Sequence, residues 1–205
     1  MNLNKKSDLL LKAFEIIEDG IKNRDSLFHT LTMSSFDGKN ISSRVMVLRD
    51  FCKKTRTLRF HSDVRSSKVK NLKNNKSTSV IGYDPKLKTQ IRFQGVSKVN
   101  HKNRKTKEAW GQSQAISKKC YSVMDGSSAI IKSPVKYDFH MKDIVLEDGY
   151  ENFSTIEFQF NSLEFLYLQR QGHRRCRFLW DKKGKLSSSW SVSYTHLTLP
   201  TKRIV

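Results

Sequence analysis

The sequence predicts a mostly β fold, a barrel flanked by a few helices. Three observations carry this. Short runs rich in β-branched, aliphatic and aromatic residues recur from residue 27 onward. Turn signals separate several of them, at Asp37-Gly38, Asp84-Pro85 and Lys182-Lys183-Gly184-Lys185. Helical periodicity is confined to a few stretches, so sheet must supply the core.

Residues 7–22 read as a helix, with Ser7 as its cap and Leu10, Phe14, Ile17 and Ile21 as an apolar stripe. Gly20 weakens its end. The period then changes. Residues 27–34 read as a strand, followed by the Asp37-Gly38 hairpin signal and a second strand over 41–49. Residues 58–62 give a third strand, and 66–74 a short helix with Val69 and Leu72 on one side. Residues 79–83 give a fourth strand and 89–99 a long fifth, in which Gly95 marks a bulge or bend. Helical texture returns over 102–120, around Ala109, Trp110 and Ile116. Residues 125–152 are polar and read as a long excursion. Two strands follow, 154–160 and 163–169, then a last hairpin of 174–181 and 185–190. Residues 1–191 are expected to form a single domain. Val192 to Thr201 looks like a translated sequencing adapter, so 192–205 is set apart as a suspected non-native tail.

The net charge is +20 in 205 residues. The basic residues are spread along the chain instead of gathered in one tract, which suits a solvated surface or guidance of small anions better than nucleic acid. No run approaches the roughly 18–20 apolar residues of a membrane span. Cys52, Cys120 and Cys176 are scattered, without a CxxC. That usage, with no signal-peptide pattern at the N-terminus, leads us to expect reduced thiols in a cytoplasmic protein. A P-loop, a GxGxxG turn, a nucleophile elbow and metal-spaced His or Cys are all missing from the sequence.

What remains is a set suited to a phosphate. Arg44 and Arg49 place two guanidiniums on one predicted strand, and Ser62 ends the next. Ser66, Ser67 and Lys68 open a short helix, where N–H groups favour an anion. Gln90 can donate and accept at the edge of a planar ring. Arg44 and Arg49 are five apart, so a regular strand would point them to opposite faces; a bend at the strand end or a bulge is required. Read by themselves, these residues also fit basic groups on a solvent-facing sheet. Other candidates are weaker: Glu157 and Glu164 as a carboxylate pair, Cys120 and Cys176 as activated thiols, and Trp110 and Trp180 as stacking platforms.

The blocks Ser43-Arg44-Val-Met-Val-Leu-Arg49, Phe60-His61-Ser62-Asp-Val-Arg-Ser66-Ser67-Lys68 and Gln90-Ile-Arg-Phe-Gln-Gly95 resemble the pyridoxamine 5′-phosphate oxidase family, the FMN-binding split barrels. The resemblance runs over roughly 25–190 and is tight between 43 and 95. It implies FMN held by Arg44, Arg49, Ser62, Ser66, Ser67, Lys68, Gln90, Ser127 and Arg177, with His61 and Ser62 at an aromatic-hydroxyl pair. Arg49 stands where the family has Lys, Ser67 where it has Arg, and Leu166 where strict oxidases have Trp. The Gln before Ser127-Ser128 is replaced by Gly126.

On the substrate side the family's Arg-x-His reads His173-Arg174-Arg175, and no Arg stands within Trp110–Ser117. His173, Arg175 and Ser117 are the implied substrate contacts, with Lys118 or Lys119 available to replace the missing Arg. The resemblance further implies a homodimer with FMN between subunits. The implied activity is oxidation of a small phosphorylated amine or alcohol, with hydride transfer to flavin and reoxidation by oxygen. A flavin- or haem-related binding protein, an NAD(P)H-dependent flavin reductase and, from another class, a basic nucleic-acid-binding barrel are the other readings.

Overall fold

Alternation of apolar and polar side chains carries through most strands, and the barrel follows from it. The computed structural model describes residues 2–127, 129–133 and 146–193. The suspected tail from 194 and residues 134–145 of the excursion lie outside the described residues. Eight strands are formed: β1 (Thr30–Phe36), β2 (Ile41–Cys52), β3 (Thr57–Asp63), β4 (Ser77–Asp84), β5 (Thr89–His101), β6 (Phe153–Tyr167), β7 (Arg174–Trp180) and β8 (Leu186–Trp190). They run antiparallel in the order β3-β2-β1-β4-β5-β6-β7-β8, and an additional β3–β6 pairing closes the first six into a barrel.

β6 makes the split. One of its edges pairs with β5 over its whole length. The other pairs with β3 through Phe153–Gln159 and then with β7 through Ser162–Tyr167. Two strands were expected here, because the apolar phase changes. Ile156, Phe158 and Phe160 are buried, and then Leu163 and Phe165. The chain nevertheless remains one strand. Gly95 pairs with Phe160 and Gln94 with Ser162, so Asn161 is one residue too many, a bulge that flips the inward phase. The expected irregularity at Gly95 is therefore present, with the extra residue on its partner. A Cβ on Gly95 would lie 2.1 Å from the Gln159 carbonyl oxygen. Gly95→Ala is expected to destabilise the chain by about 1–3 kcal/mol, the usual range for overpacking, as read in a urea unfolding midpoint.

Helix α1 spans Lys6–Lys22. Its N-cap is Lys5, so Ser7 lies inside the helix and does not cap it; its hydroxyl meets Asp8 Oδ1 at 3.3 Å. Leu9, Ala13, Ile16, Ile17 and Gly20 form the buried face, while Leu10, Phe14 and Ile21 pack at its edges. Gly20 has a packing role, since a Cβ there would meet the Phe28 carbonyl group at 2.6 Å. Residues 27–29 are a 3-10 turn that drops Phe28 into the core before β1 begins. At the first hairpin Asp37 Oδ1 accepts from the N–H groups of Lys39 and Asn40, and Gly38 takes φ 106°.

The expected helix over 102–120 is two helices, α3 (Arg104–Gly111) and α4 (Ala115–Lys119), α2 being Ser67–Asn74. Asn103 and Thr106 close a capping box on α3. Ala109 and Trp110 pack with Phe153, Tyr121 and Tyr150 in a second small cluster; Ile116 is exposed. Trp110 is thus core, as is the inner side of Trp180. Val69 and Leu72 bury α2 as expected.

Candidate functional site

The sequence-predicted residues fall into three groups. The first lies at one end of the barrel interior. Arg44 shares the inward phase of Met46 and Leu48, and its register partner is buried Met33. Its guanidinium donates to Ser35 Oγ at 2.8 Å, Ser42 Oγ at 2.7 Å and the Met33 carbonyl at 3.3 Å. Ser62, buried at the end of β3, meets Ser66 Oγ at 3.2 Å and receives Lys68 Nζ at 3.5 Å. Burial and the neighbouring Arg44 charge both lower the Lys68 pKa, and burial lowers that of Arg44.

Ser66 is the N-cap of α2, yet its hydroxyl donates back to the Asp63 carbonyl at 2.7 Å and makes no capping bond. Two half-buried cations, buried hydroxyls and an uncapped helix start thus converge, a set that fits a phosphate dianion. The nearby carboxylate, Asp63, is already committed to Arg65 at 2.6 Å. Ser67 is exposed on the first turn of α2.

Arg65 was not singled out from sequence. Its fork takes Asp63 on one side and the carbonyls of Val123, Met124 and Asp125 on the other, at 2.8–3.2 Å. It thereby holds the loop that carries Ser127, which is exposed, close to the start of α2. Ser128 lies outside the described residues.

The second group surrounds a cavity on the other face of β3. Arg49 is the residue that breaks the β2–β3 register: Leu48 pairs with Phe60 and Asp50 with Arg59, which leaves Arg49 as the bulge. A bulge does fall at Arg49, but it does not turn the residue to Arg44's side: Arg49 lies with Arg59, His61 and Ser117. Burial, reinforced by Arg49 and Arg59, pushes His61 down to about 3, so its imidazole is neutral at physiological pH. The ring stands edge-on to Phe153 at 4.8 Å. Lys118 does not line this cavity; its ammonium lies over the Trp110 ring at 5.2 Å.

The third group occupies the outer face of β5, β6 and β7. Gln90, Leu166 and Arg175 form one cross-strand row, and Arg92, Glu164 and Arg177 the next. Glu164 is only 3% exposed although it faces outward, because arginines cover it. Arg175 donates to it at 2.7 Å, Arg177 at 3.4 Å, and Arg92 lies at 3.6 Å. Glu157 belongs to a separate ion pair with Lys105 at 2.8 Å, so the two carboxylates do not form a catalytic pair. His173 is engaged in its own turn, with Nδ1 3.2 Å from the backbone of Gln169.

Arg59 and Arg92 were legible in principle. Arg59 alternates with His61, and Arg92 with Gln90, so each shares a face with a residue already chosen.

Of the two thiols singled out, Cys176 is buried and its pKa is pushed up to about 11 by burial, whereas Cys120 is exposed. Among the described residues, no His, Cys, Asp and Glu cluster has metal-binding geometry, and no helix is long and apolar enough to cross a membrane.

Comparisons with known proteins bear on the fold and the cofactor. Residues 12–101 match a family model described as pyridoxamine 5′-phosphate oxidase, FMN-binding domain. No curated protein matches the sequence. Among solved structures, the chain is similar to a pyridoxamine 5′-phosphate oxidase-related, FMN-binding protein from Nostoc punctiforme. The TM-score is 0.72 at 16% identity, covering 89% of this chain and 96% of that one. It is similar to PhzG from Burkholderia lata, solved with tetrahydrophenazine-1-carboxylic acid, at TM-score 0.69 and 16% identity, covering 90% and 91%. At these identities the structural likeness speaks for the fold.

Proposed function

Residues 12–101 belong to the pyridoxamine 5′-phosphate oxidase FMN-binding domain family, and on that premise we propose that the chain is an FMN-dependent oxidoreductase acting on a small, phosphorylated amine or alcohol. The observation that carries the cofactor half is the convergence of Arg44, Ser62, Ser66 and Lys68 at the barrel end. In this reading those residues hold the FMN phosphate, with Ser67 and Ser127 at its rim. Gln90, Arg49 and Arg177 contact the ring system. Ser117, Arg175 and His173 contact substrate. FMN held there would supply the hydride acceptor for oxidation at the carbon bearing the amine or alcohol, with oxygen as the final acceptor. The protein's own task is to bind, orient and exclude water.

The spacing of the groups supports a homodimer. Gln90, Arg175 and Arg177 lie on β5 and β7, whereas Arg44 is on β2, with β1 and β4 between β2 and β5. A single chain therefore separates the two sets, and a second copy can bring one set against the other. A dimer is the expected species in analytical ultracentrifugation, and a monomer that binds FMN at full affinity would oppose this arrangement.

Arg44→Ala is expected to weaken FMN binding by about 1.5–3 kcal/mol, roughly ten- to a hundredfold, because it removes a charge-assisted hydrogen bond. Quenching of FMN fluorescence on titration measures it, and an unchanged affinity rejects the cradle. Anaerobic bleaching of the bound flavin by pyridoxamine 5′-phosphate, then peroxide on admitting air, is the expected oxidase behaviour. Bleaching by NADPH alone would point to a reductase.

A further inference from the structure

The turn between β3 and α2 holds a guanidinium that binds neither the barrel interior nor the outer face of the sheet. Arg65 lies one residue before Ser66, yet among the described residues it bonds to none of Arg44, Ser62, Ser66 and Lys68. The buried Asp63 carboxylate fixes one side of its fork, accepting from Nε at 3.0 and 3.2 Å and from Nη2 at 2.6 Å. The other side donates to three successive carbonyls. Nη1 reaches Val123 at 3.1 Å and Met124 at 2.8 Å, and Nη2 reaches Val123 and Asp125, both at 3.2 Å. These carbonyls belong to no helix or strand, so Arg65 supplies the partners that secondary structure does not.

The approach is close. A Cβ on Gly126 would lie 2.8 Å from Arg65 Cβ and 3.5 Å from the Arg65 carbonyl group. Glycine thereby lets the segment come against the peptide that joins Arg65 to Ser66, the N-cap of α2. A second pin holds the start of the segment. The Asn152 carbonyl accepts from the Val64 N–H at 2.8 Å, and its side-chain Nδ2 donates to the Tyr121 carbonyl at 2.8 Å. Tyr121 packs on Phe153, but none of residues 122–127 is buried, and Met124 is 89% exposed. Past Tyr121, hydrogen bonds to one guanidinium hold the segment in place of apolar packing.

We propose that Arg65 is a positioning residue for the cofactor: it clamps residues 122–127 against the start of α2 as an outer wall of the phosphate cradle, and this clamp slows the escape of a bound phosphate ester. The clamp rests on the contacts above; its effect on FMN rests on the flavin reading. Opening requires several charge-assisted bonds to break together, so the effect falls on release more than on association. Lysine cannot replace the fork, because one ammonium cannot span a carboxylate and three carbonyls.

Two measurements on the full chain test this. Release of FMN is followed by fluorescence recovery on dilution, and amide hydrogen exchange over 122–127 is followed without FMN. Arg65→Ala and Arg65→Lys are both expected to release FMN about ten- to a hundredfold faster. Association with Arg65→Lys should stay within about threefold of wild type. Exchange over 122–127 should quicken in both. Gly126→Ala leaves the fork intact but crowds Arg65 Cβ, and should speed release and exchange as well. Ethylguanidinium added to Arg65→Ala should restore part of the slow release, and ethylammonium should not.

Wild-type release in Arg65→Lys, faster exchange without faster release, or equal rescue by ethylammonium would each overturn the proposal. A wild-type chain that takes no FMN would fail the flavin reading instead. Exchange in Arg65→Lys would then still decide the clamp, and unchanged exchange would reject it. A misfolded Arg65→Ala would show in its unfolding midpoint, and Arg65→Lys and Gly126→Ala then carry the comparison.

Discussion

Phe160→Ala is expected to destabilise the protein by about 3–5 kcal/mol, the range for removing a fully buried aromatic ring. Phe160 is 0% exposed. Its ring centroid lies 5.0 Å from Phe93, 5.7 Å from Trp180 and 6.3 Å from Phe51, so one side chain joins β5, β7 and β2. Its backbone sits where β6 leaves β3: the Phe160 N–H donates to the Arg56 carbonyl at 3.1 Å, and Arg56 Nε donates to the Phe160 carbonyl. The next residue, Asn161, is the bulge. Loss of the ring therefore opens a cavity where the barrel closes and where the chain has least freedom to collapse around it. Against a total stability of about 5–15 kcal/mol, this is a large fraction. The check is a urea titration: the midpoint should fall with the slope unchanged, and Phe160→Leu should recover part of the loss. A shift below about 1 kcal/mol would mean that the split point is not a packed centre.

The same strand shows what the sequence could and could not carry. Composition and alternation identified the strands, the hairpins and α2, because each depends on local residue order. They divided β6 in two, because a phase change reads identically whether the chain turns or bulges. Only the facing strand decides, and β5 continues past the break without interruption. Helix 102–120 failed for a related reason. Its periodicity spans Gly111 to Gln114, but the chain turns there to place Trp110 against Phe153.

For the candidate site, residue type was legible and grouping was not. Spacing required a bend at the strand end or a bulge for Arg44 and Arg49 to face the same way. It did not say that the bulge would fall at Arg49 and place it beside Arg59 and His61. Glu164 alternates with buried Leu163 and Phe165, and its direction is outward. Its burial comes from three arginines on two neighbouring strands, a condition set by register and invisible in local sequence.

That register carries the second large effect. Glu164→Ala is expected to destabilise the fold by about 3 kcal/mol, the lower end for breaking a buried ion pair, because Arg92 and Arg177 retain some solvent. Their side chains are 38% and 47% exposed, against 26% for Arg175. Removal of the carboxylate leaves three like charges on adjacent strands and a second unpaired group on Arg175, whose Nε already lacks a partner. Burial raises the Glu164 pKa, but the hydrogen bonds from Arg175 and Arg177 and the charges of Arg92 and Arg175 outweigh it, and the net shift is below the ordinary 4.5. A carboxylate whose folded pKa is depressed stabilises the fold fully above its unfolded pKa. That contribution fades as pH falls through the folded value. The stability gap between wild type and Glu164→Gln should therefore be constant near neutrality and shrink only below about pH 4.5. Unfolding midpoints from pH 7 down to pH 3 measure it. A gap that stays level down to pH 3 would mean that Glu164 acts through shape and not through charge. A gap that closes already near pH 6 would mean that its folded pKa is raised, and that burial wins over the three arginines.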